Sequence, residues 1–354
     1  MVIFHAIYKK INQHPGFYPY PAFDYICLTT GNRICLTTDN HSHFNMKSAP
    51  LHIYLYAIMA VTFWGVSYVW TKVAFTAYEP ITVMLIRLSM SSLLMLAIFR
   101  IKKLGERVDR SDYKNFIILS FFSPFCFFIG ENFGVYHVSP TVASVIIATI
   151  PVFSPILAYV AFREKVTPVN ILGFIVSFTG VLIMVMDAGF KFTASPVGIF
   201  WLFFAVFSAL INIVFLKKLA AKYSSFTIIL VQNILGAIFF LPLFLIMDFR
   251  DFIHIRPSWE VVASLLALAI FGSTLAFMFY TSAVRSIGIA RTAIFANLIP
   301  VVTAITSFIF LKEVIDLSRI VGMLIVIAGL MMTQISNMRR RQRERKNSGK
   351  PLVF

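Results

Sequence analysis

Ile150-Pro151-Val152, followed by Glu164, Gly173 and Gly180, returns later in the chain as Ile299-Pro300-Val301, Glu313, Gly322 and Gly329. Each landmark moves by the same 149 positions (151 to 300, 164 to 313, 173 to 322, 180 to 329), and Ile171 returns as Ile320 at the same shift. Punctuating residues at one long, unchanged spacing signal a duplicated structural unit. The rest of the chain is read outward from that duplication.

Composition says where the units sit. Of 354 residues, 59% are hydrophobic and 13% charged, and the mean hydropathy is +0.83. A soluble domain carries roughly 25% charged residues, so the chain reads as a polytopic membrane protein with the lipid bilayer as its solvent. The net charge of +16 collects in short loops and in the tail Met338-Arg339-Arg340-Arg341-Gln342-Arg343-Glu344-Arg345-Lys346. A basic run directly after a membrane helix reads as a cytoplasmic anchor more readily than as a nucleic-acid patch, so no nucleic-acid partner is expected. Cys27, Cys35 and Cys126 make no disulfide framework, and their spacing is not a metal pattern. No metal and no cofactor are expected.

Residues 1–45 lack both the apolar spans of the remainder and the layout of a signal peptide. Met46-Lys47-Ser48-Ala49-Pro50 then opens onto an apolar helix, so Met46 is the expected start. A disordered cytoplasmic extension over 1–50 is the alternative. From Leu51 on, ten apolar segments approach the ~20 residues needed to cross a bilayer. They are placed at 52–73, 81–100, 114–135, 141–161, 168–186, 197–216, 225–247, 259–282, 290–311 and 318–336. None alternates as a barrel strand would, and the backbone in lipid then requires helices. Lys and Arg concentrate in loops around Arg100–Lys114, Arg163–Lys165, Lys217–Lys222 and Arg285–Arg291, and in the tail. By the positive-inside rule both termini are expected in the cytoplasm of a bacterial-type cell membrane. Ten helices divide into units of five (51–190 and 191–336), ahead of the basic tail 337–354. Five is odd, so the second unit enters the membrane upside down, a plan met in secondary transporters with midplane sites.

Within this frame, Pro151 and Pro300 are expected near the middle of helices four and nine. There they free the carbonyls of Ile147 and Ala296 and kink the helix for packing, or offer oxygen atoms to a solute. Glu164 and Glu313 fall in tight turns near positive helix ends and read as structural. Asp316 and Thr167 fit N-caps. The four glycines, seven apart on one face in each unit, suit close helix packing. Charged residues inside apolar spans are the informative ones, because hydrocarbon penalises them. Glu131 and Arg87 are both candidates for a substrate pathway. Substrate or proton handling by Glu131 stands against a structural pair or an interface position, Arg87 reads first as structural, and whether they pair is left open. Asn132, Trp64, Tyr68, Gln232, Tyr280 and Asn297 could line the same path, with interhelical hydrogen bonding or ordinary aromatic packing as the plainer account of each.

These residues carry a resemblance. Trp64-Gly65, Pro80 with Arg87, and Pro151, Glu164, Gly173 and Gly180, repeated as Pro300, Glu313, Gly322 and Gly329, resemble the EamA family of the drug/metabolite transporter superfamily over about residues 50–336. The resemblance implies an all-α bundle of ten transmembrane helices in two inverted five-helix repeats. It also implies export or exchange of small organic metabolites, often amino acids or amphipathic compounds, and alternating access is the leading mechanism. It names no substrate. Glu131-Asn132 lies outside the pattern, so its candidacy rests on the membrane cost alone. A proton is a possible coupling ion, and a monomer is plausible. No Gly-x-x-x-x-Gly-Lys, His-Glu-x-x-His or Gly-x-Ser-x-Gly occurs, which argues against an ATPase or a membrane-embedded enzyme. A non-transporting scaffold or receptor and an open channel are the remaining alternatives.

Overall fold

A computed structural model describes residues 51–102, 106–162, 167–186, 191–287 and 289–347. Ten helices within it are long and apolar enough to cross a membrane: α1 Leu51–Ala74, α2 Pro80–Ile101, α3 Arg110–His137, α4 Pro140–Leu157, α5 Pro168–Val185, α6 Pro196–Ala220, α7 Ser225–Met247, α8 Trp259–Val284, α9 Ile294–Leu311 and α10 Leu317–Met338. Among the described residues the only β pairing is a single bridge between Met186 and Phe192. Ser and Thr set several starts. The hydroxyls of Thr167, Ser195 and Ser224 accept the N–H groups of Asn170, Gly198 and Thr227, and the first two are followed by proline. Asp316 Oδ1 accepts the Arg319 N–H at the start of α10.

The most intimate helix pair is α5 with α10. A Cβ on Gly173 would stand 2.8 Å from the Gly329 carbonyl oxygen, and one on Gly180 would stand 2.7 Å from that of Gly322. Only glycine lets the two backbones approach this closely. The helices α2 and α7 form a second antiparallel pair, clasped at both ends. At one end Asp248, just past α7, accepts the Thr82 N–H at 3.0 Å and the Thr82 hydroxyl at 2.7 Å. At the other end Glu106, just past α2, accepts the Ser224 N–H at 2.7 Å and the Thr227 hydroxyl at 3.0 Å. Thr82 and Thr227 are both the third residue of their helix. A shift of 145 relates them (227 − 82), as it relates Arg87 to Gln232 (232 − 87). A carboxylate from the partner helix's tail thus satisfies orphan donors at each helix start.

The remaining helices carry the irregularities, and these too are duplicated. A π-helical stretch occupies Phe121–Cys126 in α3 and Leu268–Leu275 in α8. Adding 149 to 121–126 gives 270–275, inside the second stretch. In α4 the helix Pro140–Ala148 ends at Thr149 and a new one begins at Ile150. In the ninth span the helix Ile289–Ala296 ends, Asn297 and Leu298 turn, and Ile299–Leu311 follows. The prolines therefore do not bend a continuous helix, as the sequence suggested. Pro151 and Pro300 each stand in the first turn of a new half-helix, where a missing N–H costs nothing. Discontinuous helices in both halves are a known transporter device.

Candidate functional site

The π-helical stretch of α8 decides the local geometry. A shift from i+4 to i+5 bonding leaves carbonyls without their usual partner and often marks a functional position. Here the Gly272 carbonyl accepts the Trp64 indole N–H from α1 at 3.2 Å. The next residue, Ser273, accepts the Arg87 Nε–H from α2 at 2.6 Å. Arg87 is 4% exposed, and its guanidinium lies 4.7 Å from the centre of the Phe128 ring in α3. One turn further along α1 from Trp64, the Tyr68 hydroxyl donates to Glu131 Oε1 at 3.0 Å. Glu131, Arg87 and Tyr68 lie within electrostatic reach of one another, yet no direct ion pair joins the two charges. Burying charge this way is tolerable only with a countercharge nearby and hydrogen bonds on each group.

Four of the expected residues therefore meet: Glu131, Arg87, Tyr68 and Trp64. Tyr280 joins them through its ring, 4.9 Å from Trp64, with Phe277 at 5.1 Å. Asn132 is one residue from Glu131 but turns elsewhere. Its amide donates to Met84 Sδ and to the Phe128 carbonyl, and its Oδ1 is buried without a partner. Gln232 does not join the cluster. Its amide donates at 2.6 Å to the carbonyl of Ser123, which has left helical geometry inside the π-helical stretch of α3, so it serves that break. Asn297 exchanges two 3.1 Å hydrogen bonds with Gln334 of α10, which holds the break in the ninth span. Sequence reasoning missed Ser273, Gly272 and Phe128. The run Gly272-Ser273-Thr274 in an otherwise apolar helix was the available signal for the first two.

Trp64, Tyr68 and Lys72 are spaced by four and share one face of α1, each step rising ~6 Å. Lys72 opens onto a cavity of about 500 Å³ at the face predicted to be external, lined also by His137, Thr193, Ser195, Glu313 and Arg319. The Lys72 ammonium donates to the carbonyls of Val135, Tyr136 and Val138, capping the end of α3. Glu313 accepts from the Thr141 hydroxyl at 2.9 Å and from Arg319 at 3.3 Å, so this turn residue ties the second repeat to α4 of the first. Glu164 lies outside the described residues. No group of three His, Cys, Asp or Glu side chains that could hold a metal occurs among the described residues.

The model of the EamA-like transporter family matches residues 51–186 and again 196–335. The chain belongs to that family. Its duplicated match coincides with the duplicated helices, and its members are transporters rather than enzymes. An uncharacterized transporter of Archaeoglobus fulgidus is 26% identical over 272 residues, 77% of this chain and 95% of that protein. The uncharacterized transporter YetK of Bacillus subtilis is 26% identical over 69% of this chain and 75% of its own. A probable terminal-alkyne amino-acid exporter of Streptantibioticus cattleyicolor is 29% identical over 217 residues, 60% of this chain and 69% of that protein. A solved crystal structure superposes with a TM-score of 0.58 at 12% identity, covering 82% of this chain and 98% of the other, which speaks for the fold alone.

Proposed function

We propose that this EamA-family protein is a secondary transporter that exports or exchanges a small organic metabolite of amino-acid type by alternating access, with both termini in the cytoplasm of a cell membrane. The observation that carries the reading is the buried cluster of Glu131, Tyr68, Arg87 and Ser273, which joins α1, α2 and α3 of the first repeat to the π-helical stretch of α8 in the second. Charge at that depth is costly to keep without a use. The duplicated breaks in α3, α4, α8 and the ninth span give backbone that can rearrange around it. The likeness to the Streptantibioticus cattleyicolor protein supports the amino-acid class. Glu131 is the group placed to exchange a proton if coupling runs on one.

The test compares spent medium from cells producing the protein, its Glu131→Gln variant, or neither. One compound class should accumulate outside with the native protein and not with the variant. Equal media from all three, with the protein shown in the membrane, would sink the reading. Selective depletion would reverse the direction to uptake.

A further inference from the structure

Arg87 is held in a one-sided way. A guanidinium carries five N–H donors. Its Nε–H goes to Ser273, and its guanidinium carbon lies 4.7 Å from the centre of the Phe128 ring, so two neighbours anchor the group from α8 and α3. Among the described residues, Nη1 and Nη2 have no hydrogen-bond partner. The side chain is nonetheless 4% exposed. Gly272 flanks it, and a Cβ there would meet Arg87 Nη2 at 3.5 Å and atoms of Ser67 and Leu268 at 3.4 and 3.9 Å, so the absent side chain leaves room for about a methyl group beside that nitrogen. The other cations near the path are committed. Lys72 has three carbonyls for its three protons, and Arg319 is bound to Glu313 and the Val314 carbonyl.

Neither terminal nitrogen is among the fully buried unpaired side-chain atoms, so each keeps a little accessible surface, and a charged donor with so little surface and no protein partner is costly. Glu131 lends its field without taking up those donors. The parallel pair of N–H groups on Nη1 and Nη2 matches the two oxygens of a carboxylate, the strongest planar recognition a side chain offers. We propose that Arg87 is the carboxylate receptor of the transport site: Nη1 and Nη2 take the carboxylate of the substrate, while Glu131, the opposite charge beside it, faces the substrate's ammonium group. Trp64, whose indole N–H reaches the Gly272 carbonyl beside Ser273, packs on Tyr280 and would supply the apolar wall. The assignment rests on the transport reading above and narrows it to zwitterions whose acid group is free.

The experiment uses the full chain in phosphatidylethanolamine–phosphatidylglycerol vesicles and follows counterflow of tritiated probes. The probes are L-leucine, L-phenylalanine, L-leucinamide, which lacks the carboxylate, and isoamylamine, which keeps only the amine. The amino acids should exchange, with the amide and the amine weaker by roughly tenfold or more, as expected for loss of a charged hydrogen-bond pair. Arg87→Lys keeps the charge and loses the fork. It should raise the half-saturating concentration of the amino acids and shrink their advantage over the amide. Ser273→Ala, which frees the guanidinium to swing, should move the same ratio by less. A merely structural Arg87 would change the amount of folded protein and leave the acid-to-amide ratio alone, and that result would overturn the assignment. Exchange of amide or amine as good as that of the acids would overturn it while leaving transport intact. Failure of every probe to exchange would remove it along with the amino-acid reading it rests on.

Discussion

The Ser177 hydroxyl donates to the Val326 carbonyl at 3.3 Å, and these two residues are the same position of the two repeats (177 + 149 = 326). On either side of them Gly173 meets Gly329 and Gly180 meets Gly322. The shift that carries 173 to 322 carries 180 to 329, so each glycine contact is the inverted image of the other. The pseudo-two-fold relation between the repeats therefore runs through Ser177 and Val326.

That joint should tolerate no side chain. Gly180→Val places a Cβ 2.7 Å from a backbone oxygen that cannot swing aside. A loss of about 1–3 kcal/mol or more is expected from such overpacking. Thermal unfolding in detergent should show a lowered midpoint, whereas Ile175→Ala, on the exposed flank of the same helix, should change it little. Equal midpoints for Gly180→Val and the native protein would refute the packing account.

The clasps between α2 and α7 should act independently. Asp248→Asn weakens the bonds to Thr82, and Glu106→Gln weakens those to Ser224 and Thr227. Each should cost about 1–2 kcal/mol, as for a lost cap. They sit at opposite ends of a helix some 30 Å long, so the double variant should show the sum to within about 0.5 kcal/mol. A clear excess over the sum would mean that the two ends communicate.

Tyr68→Phe removes the hydrogen bond to Glu131 and leaves the ring in place. The expected stability change is about 1 kcal/mol. Initial transport rates should fall severalfold, short of the loss in Glu131→Gln. A rate unchanged by Tyr68→Phe would show that Glu131 works without being oriented by it.

Lys222, in the turn between α6 and α7, lies 2.6 Å from both Asp109 and Asp112. Hydrogen bonds to these two carboxylates hold its ammonium well above the ordinary lysine range. A folded value above the unfolded one, about 10.4, means that the contribution is complete below that pH. It declines as pH rises beyond it toward the folded value. The midpoint difference between the native protein and Lys222→Met should stay constant from pH 7 to about 10 and narrow above. Because the group is solvent-exposed, salt should shrink the difference at every pH. A difference that grew with pH would contradict the sign.

The ten spans were legible because length and hydropathy suffice for them. The segment read as 52–73 is Leu51–Ala74, and that read as 259–282 is Trp259–Val284. The inversion followed from counting helices between copies of Pro151 and Glu164. The four glycines announced close packing, although the pairing of Gly173 with Gly329 rather than Gly322 needed three dimensions. Polar residues in apolar spans were easy to find and hard to assign. Arg87 and Gln232 occupy matching places in the two repeats, yet one faces Ser273 and the other repairs the broken backbone at Ser123. Sequence shows that such a group needs a partner, not which partner. The breaks at Thr149 and Asn297 were half visible. Proline marked the spot, but whether a helix bends or restarts there depends on neighbours such as Gln334.

The joint at Ser177 and Val326 is self-complementary. The strip of α5 that carries Gly173, Ser177 and Gly180 meets its own counterpart turned over. One five-helix unit thus already bears both lock and key of the seam, and a second copy inserted the other way up can close it without any surface built specially for the purpose.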